Sequence, residues 1–258
     1  MTHTFRVPGD SLEQADPVIA RLNRFEADRQ NRKLIMIASE SVCPPAVRDT
    51  LSSELGNIYA EGYPSPRMWS LDEPALEAFD ETFVEFRRYG DRRYYKGCDY
   101  VNVVESLAKR RLSALFANDR VSHDQIYANV QPLSGAAANN AVYNAFLQTG
   151  SRIMGMDLTC GGHLTHGSEV NRSGRTYHIG AYRPGRNGKL DYAAMQKQAV
   201  EFNPDLIVAG FSAYPWDIDW EALRRVADAA GAILHADIAH IAGLVAAGVL
   251  NSPVGHAH

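Results

Sequence analysis

The second half of the chain alternates short apolar runs with helical patterns, and this alternation limits the possible folds more than any other feature. Strands are predicted at 126–130, 152–156, 177–182, 206–209 and 232–236. The helices between them are predicted at 135–147, 191–202 and 219–230, with Gly231 ending the last. Such alternation is typical of a mostly parallel sheet, in which ligands bind beyond the carboxyl ends of the strands. The sequence therefore predicts an α/β fold.

The first half is less regular. Asp16-Pro17 is typical of a helix start, and the apolar residues after it recur at helical spacing over about 16 residues. Residues 34–37 are predicted as a short strand, Pro44-Pro45 as the start of another helix, and residues 103–116 as a firm helix. We therefore expect an N-terminal helical arm and first strand over 1–50, followed by one large domain over 51–258.

Composition excludes several classes of protein. A net charge of −4 and a pI near 6.1 argue against nucleic-acid binding driven by bulk charge. No apolar run approaches the ~20 residues of a transmembrane helix, and the N-terminus has no signal-like apolar region. Cys43, Cys98 and Cys160 lie far apart, which predicts neither a disulfide framework nor a zinc site. We expect a soluble cytoplasmic protein without a metal, a membrane or a nucleic-acid partner.

Five polar clusters follow predicted strands or occupy loops: 37–40, 59–64 with 93–98, 134–139, 161–167, and 211–214 with 237–240. The Ser134-Gly135 turn is either an anion site at a helix start or an ordinary helix cap. Asp237 ends a buried strand, where its carboxylate needs a cation such as a protonated pyridine nitrogen or a structural arginine. His163 fits a stacking platform, a plain loop residue or, least well, a metal ligand. The tyrosine and glutamate cluster at 59–64 also fits simple loop packing.

Together and in this order, the clusters resemble the serine hydroxymethyltransferase family. The matching segments are IASES (37–41), YAEGYP (59–64), RYYKGCDYVNVVE (93–105), YANVQPLSG (127–135), GGHLTHGSEVNRSG (161–174), GFSAY (210–214) and DIAHIAGLVAAG (237–248). The resemblance runs from about residue 16 to the last residue. It implies the large domain of a PLP-dependent transferase of the aspartate aminotransferase-like class (fold type I), incomplete at its C-terminal end. It also implies interconversion of serine and glycine, with tetrahydrofolate as the one-carbon acceptor.

The resemblance assigns a pyridoxal 5'-phosphate site to residues after the predicted strands. Asp237 would pair with the pyridinium nitrogen, and His163 would stack on the ring. Ser134 and Gly135 would hold the phosphate. Ser212 and His240 would hydrogen-bond around the cofactor oxygen, and His240 is also a catalytic candidate with Asp237 and His163.

The resemblance also implies substrate contacts, some of them across a subunit interface. Tyr59, Glu61 and Tyr95 would reach into the neighbouring subunit of a homo-oligomer, expected to be a dimer. Glu61 would act as acid or base near the substrate hydroxyl, and Tyr59 would also contact the cofactor. Ser39 would touch the amino-acid substrate. The folate residues would be Leu158 and Gly162 to Leu164.

In the family pattern, YAEGYP runs straight into RYY, with an arginine immediately before the tyrosines. Here an insert separates Arg67 from Arg93. Within it Leu76, Phe79, Phe83 and Phe86 recur at helical spacing and predict an inserted helix at about 68–92 with one apolar stripe. The insert either changes the substrate or partner surface, or is a surface excursion packed on the body.

Two further departures concern the cofactor. Leu133, Ala136 and Ala137 leave the phosphate turn with few side-chain donors, so backbone donors would carry the binding. The family's Schiff-base lysine lies roughly thirty residues after the aspartate, and none of the five lysines here follows Asp237.

Three hypotheses follow from the missing lysine. In the first, a second chain supplies the lysine and the small C-terminal domain. In the second, the protein is an inactive remnant or an interaction protein. In the third, it is an aldolase or transaldolase acting on other β-hydroxy amino acids. A sheet that lacks strands also predicts oligomeric or partner-bound protein, because an apolar face and an open edge would be exposed.

Overall fold

The computed structural model describes residue 9 and residues 11–89 and 92–258, with side chains except those of 85–89. The chain divides into two compact units, one ending at Val42 and the other running from Cys43 to His258. The first unit contains α1 (Leu12–Ala15) and α2 (Pro17–Arg32). Asp16 caps α2, because its Oδ1 accepts hydrogen bonds from the backbone N–H groups of Val18 and Ile19 at 3.1 and 3.0 Å. The predicted helix of about 16 residues is thus confirmed.

The predicted first strand at 34–37 is wrong. These residues are in no strand, and Leu34 and Met36 are 88% and 84% exposed. Ile37 instead accepts a turn hydrogen bond from the N–H of Glu40 at 3.0 Å. An apolar run forms a stable strand only where another strand pairs with it, and no described residue pairs with this one.

The second unit begins with a mainly helical part. Its helices are α3 (Pro45–Leu51), α4 (Glu73–Glu77), α5 (Phe79–Tyr89) and α6 (Asp99–Phe116), with short 3₁₀ helices at Glu54–Asn57, Pro66–Ser70 and His123–Gln125. Two short strands, β1 (Gly62–Tyr63) and β2 (Arg92–Arg93), pair antiparallel on either side of the insert. The insert therefore leaves and rejoins the body at adjacent points.

The single inserted helix predicted at about 68–92 is wrong in detail. The segment forms a 3₁₀ helix, then α4 and α5, with a break where the ψ angle of Ala78 is 65°. The Thr82 hydroxyl fastens the break by donating to the carbonyl oxygen of Ala75 at 2.9 Å. Leu76 is buried, and Phe83 packs against the same small core, so these two members of the apolar stripe face the body. Phe86 lies outside the residues whose side chains are described.

A parallel sheet occupies the rest of the unit. It contains β3 (Arg152–Met156), β4 (His178–Tyr182), β5 (Leu206–Ala209) and β6 (Ile233–Ala236), in the spatial order β4-β3-β5-β6. The helices along it are α7 (Gly135–Phe146), α8 (Arg172–Thr176), α9 (Tyr192–Phe202), α10 (Trp220–Ala230) and α11 (Ala242–Ala246). The predicted α/β architecture is confirmed.

Alternate residues of the strands build two cores. Met154, Ile207 and Leu234 pack with α9 and α10 on one face of the sheet. Ile153 and Leu206 pack with α7 on the other face. These strand side chains are fully buried, which is typical of a parallel sheet covered by helices on both faces. The carboxyl ends of the strands are thereby left as the edge where polar groups can gather.

The strand predicted at 126–130 is also wrong. The segment follows the 3₁₀ helix His123–Gln125 and belongs to no ladder. The backbone of Ile126 has other partners: its N–H donates to the carbonyl of His123 at 3.3 Å, and its carbonyl accepts from the Ser113 hydroxyl at 3.0 Å. A β-favourable composition does not make a strand when side chains satisfy the backbone instead.

Candidate active site

The strongest polar cluster lies at the carboxyl end of β6, around Asp237. Its Oδ2 accepts hydrogen bonds from His166 Nε2 and Asn139 Nδ2, each at 2.8 Å, and its Oδ1 accepts from the N–H of Ala239 at 3.1 Å. Burial alone would raise the pKa of Asp237, but the hydrogen bonds from His166 and Asn139 outweigh it and hold the pKa below its ordinary value. Asp237 is therefore an ionised carboxylate at the sheet edge.

Asn139 connects Asp237 to the histidine loop. Its amide also donates to Thr165 Oγ1 at 2.8 Å, and the Thr165 hydroxyl in turn contacts His163 Nδ1 at 2.7 Å. His163 Nδ1 additionally accepts from the N–H of Thr165 at 3.2 Å, so its proton resides on Nε2. Burial lowers the pKa of His163, and the neighbouring His166 lowers it further. His163 is thus held as a neutral ring with a fixed orientation.

Two histidines complete the surroundings of this network. His235 Nε2 donates to Asn139 Oδ1 at 2.9 Å, and burial lowers its pKa to about 4. His240 lies near His163, with ring centroids 6.4 Å apart. The structure therefore brings together three of the predicted residues, His163, Asp237 and His240.

Glycines let the strand-end loops approach closely. A Cβ on Gly210 would lie 2.0 Å from the carbonyl oxygen of Asp237, so the end of β5 can pass Asp237 only as glycine. A Cβ on Gly162 would lie 2.1 Å from the carbonyl oxygen of Met156. Gly162, which was predicted to contact folate, therefore has a packing role of its own.

The predicted phosphate turn stands next to this cluster. Ser134 caps α7, with its hydroxyl accepting from the N–H of Ala137 at 3.3 Å. Gly135 is the first residue of α7, and a Cβ there would lie 3.9 Å from the side chain of Ala239. The positive end of the α7 dipole thus lies beside the loop that follows Asp237.

Ser212 is positioned by its backbone. Its N–H donates to the carbonyl of Gly161 at 2.8 Å, which joins the loop after β5 to the glycine-rich loop after β3. Gly161 adopts a φ of 107°, in the left-handed region that favours glycine. Leu158 and Leu164, in the same glycine-rich loop, are 47% and 43% exposed. A cleft of about 660 Å³ beside them is lined in part by Leu158, His163 and His166.

The predicted substrate residues of the YAEGYP segment form a second, exposed group. The Tyr59 hydroxyl donates to Glu61 Oε2 at 3.3 Å, and the Tyr59 and Tyr95 rings meet edge to face at 5.2 Å. Tyr59 and Tyr95 are 66% and 53% exposed, and their hydrogen bonds and ring contacts with described residues are with Glu61, Cys98 and each other. Ser39 belongs to the first unit, which is described by itself.

Buried Arg93 supports this exposed group. Its guanidinium donates to the carbonyls of Ala60 and Gly62 at 2.7 Å each, and to Glu105 Oε2 at 2.7 Å. The Arg93 side chain is only 1% exposed. It therefore fixes the backbone on both sides of Glu61 to α6.

Sequence reasoning missed four residues of the Asp237 network: Asn139, Thr165, His166 and His235. Asn139 carried a signal, because it is a polar residue four positions before Tyr143 on the buried face of a helix otherwise rich in alanine. The Tyr143 hydroxyl donates to the carbonyl of Thr165 at 2.9 Å, which ties that face to the histidine loop. His166 lies in the matching segment 161–174, but its spacing from other residues gives no sign of its role.

Comparison with known proteins identifies the family. The sequence model described as "Serine hydroxymethyltransferase" matches residues 12–81 and 78–258. The chain belongs to the serine hydroxymethyltransferase family. Serine hydroxymethyltransferase from Xanthomonas axonopodis pv. citri (strain 306) is 44% identical over 247 residues, which are 96% of this chain and 51% of the relative. The enzyme of the same name from Acinetobacter baylyi is 45% identical over 247 residues, 95% of this chain and 51% of the relative.

The chain spans about half the length of the curated hydroxymethyltransferases it matches. Those relatives hold the matched half and the remaining half in one polypeptide, so they give no support to a separate second chain that supplies the lysine. They also favour neither the inactive-remnant nor the aldolase alternative. The two matched segments of the family meet at 78–81, inside the insert between Arg67 and Arg93.

The described residues contain neither a membrane-spanning helix nor a cluster of metal-binding side chains. No helix among residues 9, 11–89 and 92–258 is long and apolar enough to cross a bilayer. In the same part of the chain, no three His, Cys, Asp or Glu side chains are grouped so that they could hold a metal ion.

Proposed function

We propose that this chain provides the pyridoxal-phosphate-binding half of a serine hydroxymethyltransferase of fold type I. The complete enzyme would interconvert serine and glycine, with tetrahydrofolate accepting the one-carbon unit. The observation that carries the proposal is the ionised Asp237, fixed by His166 and Asn139 at the carboxyl end of β6 in a chain of this family. The Schiff-base lysine is expected in the half of the relatives that this chain does not match.

The Asp237 carboxylate fits the ring nitrogen of the cofactor. Among the described residues, its Oδ1 accepts a hydrogen bond from the Ala239 N–H alone, which leaves a lone pair for a protonated pyridine nitrogen. When bound, pyridoxal phosphate supplies an electron sink that stabilises negative charge at the Cα of an amino acid. Asp237 would keep the ring nitrogen protonated, because its own lowered pKa leaves it ionised.

The remaining cofactor contacts are proposed from the family resemblance, and the geometry around Asp237 supports some of them. His163 would offer its neutral ring face for stacking, held in place by Thr165. Ser134 and Gly135 would hold the phosphate through the free N–H groups at the start of α7. Ser212 and His240 would hydrogen-bond near the cofactor oxygen, and Tyr59 would contact the cofactor of a neighbouring subunit.

The substrate contacts are proposed on the same basis. Glu61 would hold or move a proton at the serine hydroxyl, with the Tyr59 hydroxyl donating to it and Tyr95 packed alongside. Because these three side chains lie on an exposed surface, we propose that they act in the active site of a second copy in a homo-oligomer. Ser39 would contact the amino acid. Folate would bind at Leu158, Gly162 and Leu164, next to the cleft of about 660 Å³.

A cofactor titration tests the proposal without requiring turnover. Pyridoxal phosphate would be added to the purified chain and its binding followed by visible circular dichroism. Asp237→Asn should weaken binding by about tenfold or more, as expected when a charge-assisted hydrogen bond is lost. Asp205→Asn is the matched control, because Asp205 lies at the opposite, amino end of β5. Equal binding by wild type and Asp237→Asn would contradict the proposal.

The reaction itself is assayed with the longest natural polypeptide that contains this chain. Serine-dependent one-carbon transfer to tetrahydrofolate should be lost in Asp237→Asn and Glu61→Gln. Glu61→Gln should leave cofactor binding intact, because Glu61 is assigned to the substrate hydroxyl. Full activity of either variant would remove that residue from its proposed role.

A further inference from the structure

A small pocket lies against α6 in a part of the second unit that the proposed function does not use. Ser106, Lys109 and Arg110 of α6 form one wall, Trp69 of the 3₁₀ helix Pro66–Ser70 forms another, and the 123–128 segment forms the rim. We call it the Lys109 pocket. Its volume is about 150 Å³, whereas a water molecule in the liquid occupies about 30 Å³. The pocket therefore has room for one small ion or a few waters.

Three buried polar side-chain atoms of this pocket have no hydrogen-bond partner among the described residues. Among the described residues, four buried side-chain nitrogen or oxygen atoms have none, and three of them belong to pocket residues: Trp69 Nε1, Ser106 Oγ and Lys109 Nζ. Ser106 and Lys109 are 3% and 8% exposed. All three groups can donate a hydrogen bond, and the indole and the ammonium can only donate. Leaving such groups unpaired in the interior is unfavourable, so a ligand of acceptor character is favoured.

The charges around the pocket also favour a ligand that is negatively charged. Lys109 Nζ lies 3.3 Å from Glu105 Oε1, but the Glu105 carboxylate also receives Arg93 at 2.7 Å. One carboxylate thus serves two buried cations, and Gln131 donates to it as well. Arg110 adds a further positive charge to the lining.

The carboxylate at the rim, Asp124, has a 78% exposed side chain, so water screens its charge. The three cations Arg93, Lys109 and Arg110 outnumber the two carboxylates Glu105 and Asp124, so the charged side chains around the pocket are net positive. An uncompensated buried cation is costly, and a bound anion would relieve that cost.

Aromatic rings hold the ammonium in place without satisfying its donors. Lys109 Nζ lies 4.6 Å from the centre of the Trp69 ring, 5.3 Å from Tyr63 and 5.9 Å from Tyr127. Rings stabilise the cation through their π faces, and the N–H groups remain able to bond an oxygen. The three donor atoms are themselves buried, so Ser106 and Lys109 would meet a bound ion only by turning their side chains about single bonds.

We propose that the Lys109 pocket binds a small oxyanion of the carboxylate or phosphate class, through Lys109, Ser106 and the Trp69 indole. The site is built jointly by α6 and the insert between Arg67 and Arg93, since Trp69 belongs to that insert. The proposal stands on the contacts of the pocket alone and does not rest on the proposed function.

The three tryptophans provide a direct test on the full chain. The indole N–H signals would be recorded by ¹⁵N-resolved NMR and assigned with Trp69→Phe. Inorganic phosphate and acetate would be titrated separately, with chloride at equal ionic strength as reference. The Trp69 signal should shift and saturate with at least one of the two oxyanions and not with chloride. Trp220, whose indole donates to Asn251 at 3.0 Å, and exposed Trp216 should not follow it.

A local signal separates this site from the proposed cofactor site, where phosphate would also bind. Repeating the titration after saturation with pyridoxal phosphate should leave the Trp69 response unchanged. The relative response to phosphate and acetate identifies the class of oxyanion. An unmoved Trp69 signal, or an equal shift with chloride, would overturn the proposal.

Substitutions of Lys109 and Ser106 test whether these side chains bind the oxyanion. Lys109→Met should weaken the oxyanion affinity by about tenfold or more, the loss expected for one charge-assisted hydrogen bond. Lys189→Met is the matched control, because Lys189 lies 4.4 Å over Trp216 in an exposed pair of the same kind. Ser106→Ala removes one hydroxyl from the wall and should weaken binding by about threefold or more, so it decides the matter if Lys109→Met does not fold. Unchanged affinity in Ser106→Ala and in folded Lys109→Met would overturn the assignment.

Discussion

Two buried polar clusters of this molecule have opposite electrostatic characters. Around Asp237, donors from α7 and the histidine loop converge on one carboxylate and keep it ionised. Around Glu105, one carboxylate lies between the two cations Arg93 and Lys109. The first cluster offers negative charge to a ligand, and the second offers positive charge and unused donors. The comparison teaches that the balance of charge within a buried cluster, rather than its depth, determines the ligand it can receive.

Neutralising Glu105 should have the largest effect on the stability of the second cluster. Glu105→Gln keeps the shape of the side chain but leaves Arg93 and Lys109 without their shared carboxylate. Removing one partner of a buried ion pair costs about 3–5 kcal/mol, so we expect a loss of that size in the free energy of unfolding. Urea denaturation at neutral pH measures it.

The double variant Glu105→Gln/Lys109→Met serves as the control for this prediction. It should recover part of the stability, because it removes one of the two uncompensated cations. A single variant as stable as wild type would show that Glu105 does not balance the cations.

The second largest effect should come from acid, which lowers the free energy of unfolding through the histidines around Asp237. His235 has a folded pKa of about 4, below its ordinary 6.5, because burial disfavours the charged ring. Between these two pKa values, His235 is protonated in the unfolded chain but not in the folded chain. The free energy of unfolding therefore decreases as the pH falls from 6.5 towards 4. The expected loss between about pH 7 and pH 5 is roughly 2 kcal/mol from His235. The lowered pKa of His163 acts in the same direction.

Denaturation of wild type and His235→Gln across this range isolates the His235 contribution. The variant should show a flatter dependence of stability on pH than wild type. Identical pH profiles would indicate that His235 titrates alike in both states. Asp237 does not affect this measurement between pH 7 and pH 5, because its lowered pKa contributes stability that is lost only at more acidic pH.

Asn139 is the connection within the Asp237 cluster. Asn139→Ala removes the donor to Asp237 and Thr165 and the acceptor of His235, and it leaves buried polar groups unpaired. We expect about 1–3 kcal/mol of destabilisation, measured by urea denaturation. Asn140→Ala, one position along α7 and only partly buried, is the matched control and should change stability less. Equal effects of the two variants would argue that the helix, rather than the network, responds.

The pattern of the sequence predicted the frame of this molecule better than its site. Helical periodicity located α2, α6 and α10, and a four-residue apolar run located β5, because the pattern that predicts each of these elements lies within the segment itself. The runs at 34–37 and 126–130 also favour strands, but they pair with no described strand, which no local pattern can reveal. Asp237 was predicted from its place after a strand, whereas its partner Asn139 lies 98 residues away in sequence. Only the fold brings the two together.

The smallest effect should come from the exposed ion pair that joins the insert to α6. Arg111 donates to both carboxylate oxygens of Glu73 at 2.9 Å, which matches the buried Arg93–Glu105 contact in chemistry but not in burial. Water screens exposed charges and hydrates each partner when the other is removed, so such pairs contribute little to stability. We therefore expect Glu73→Gln to leave urea denaturation essentially unchanged, and any small effect to disappear as salt is added. A loss as large as that of Glu105→Gln would mean that the insert, and not burial of charge, governs the stability of this region.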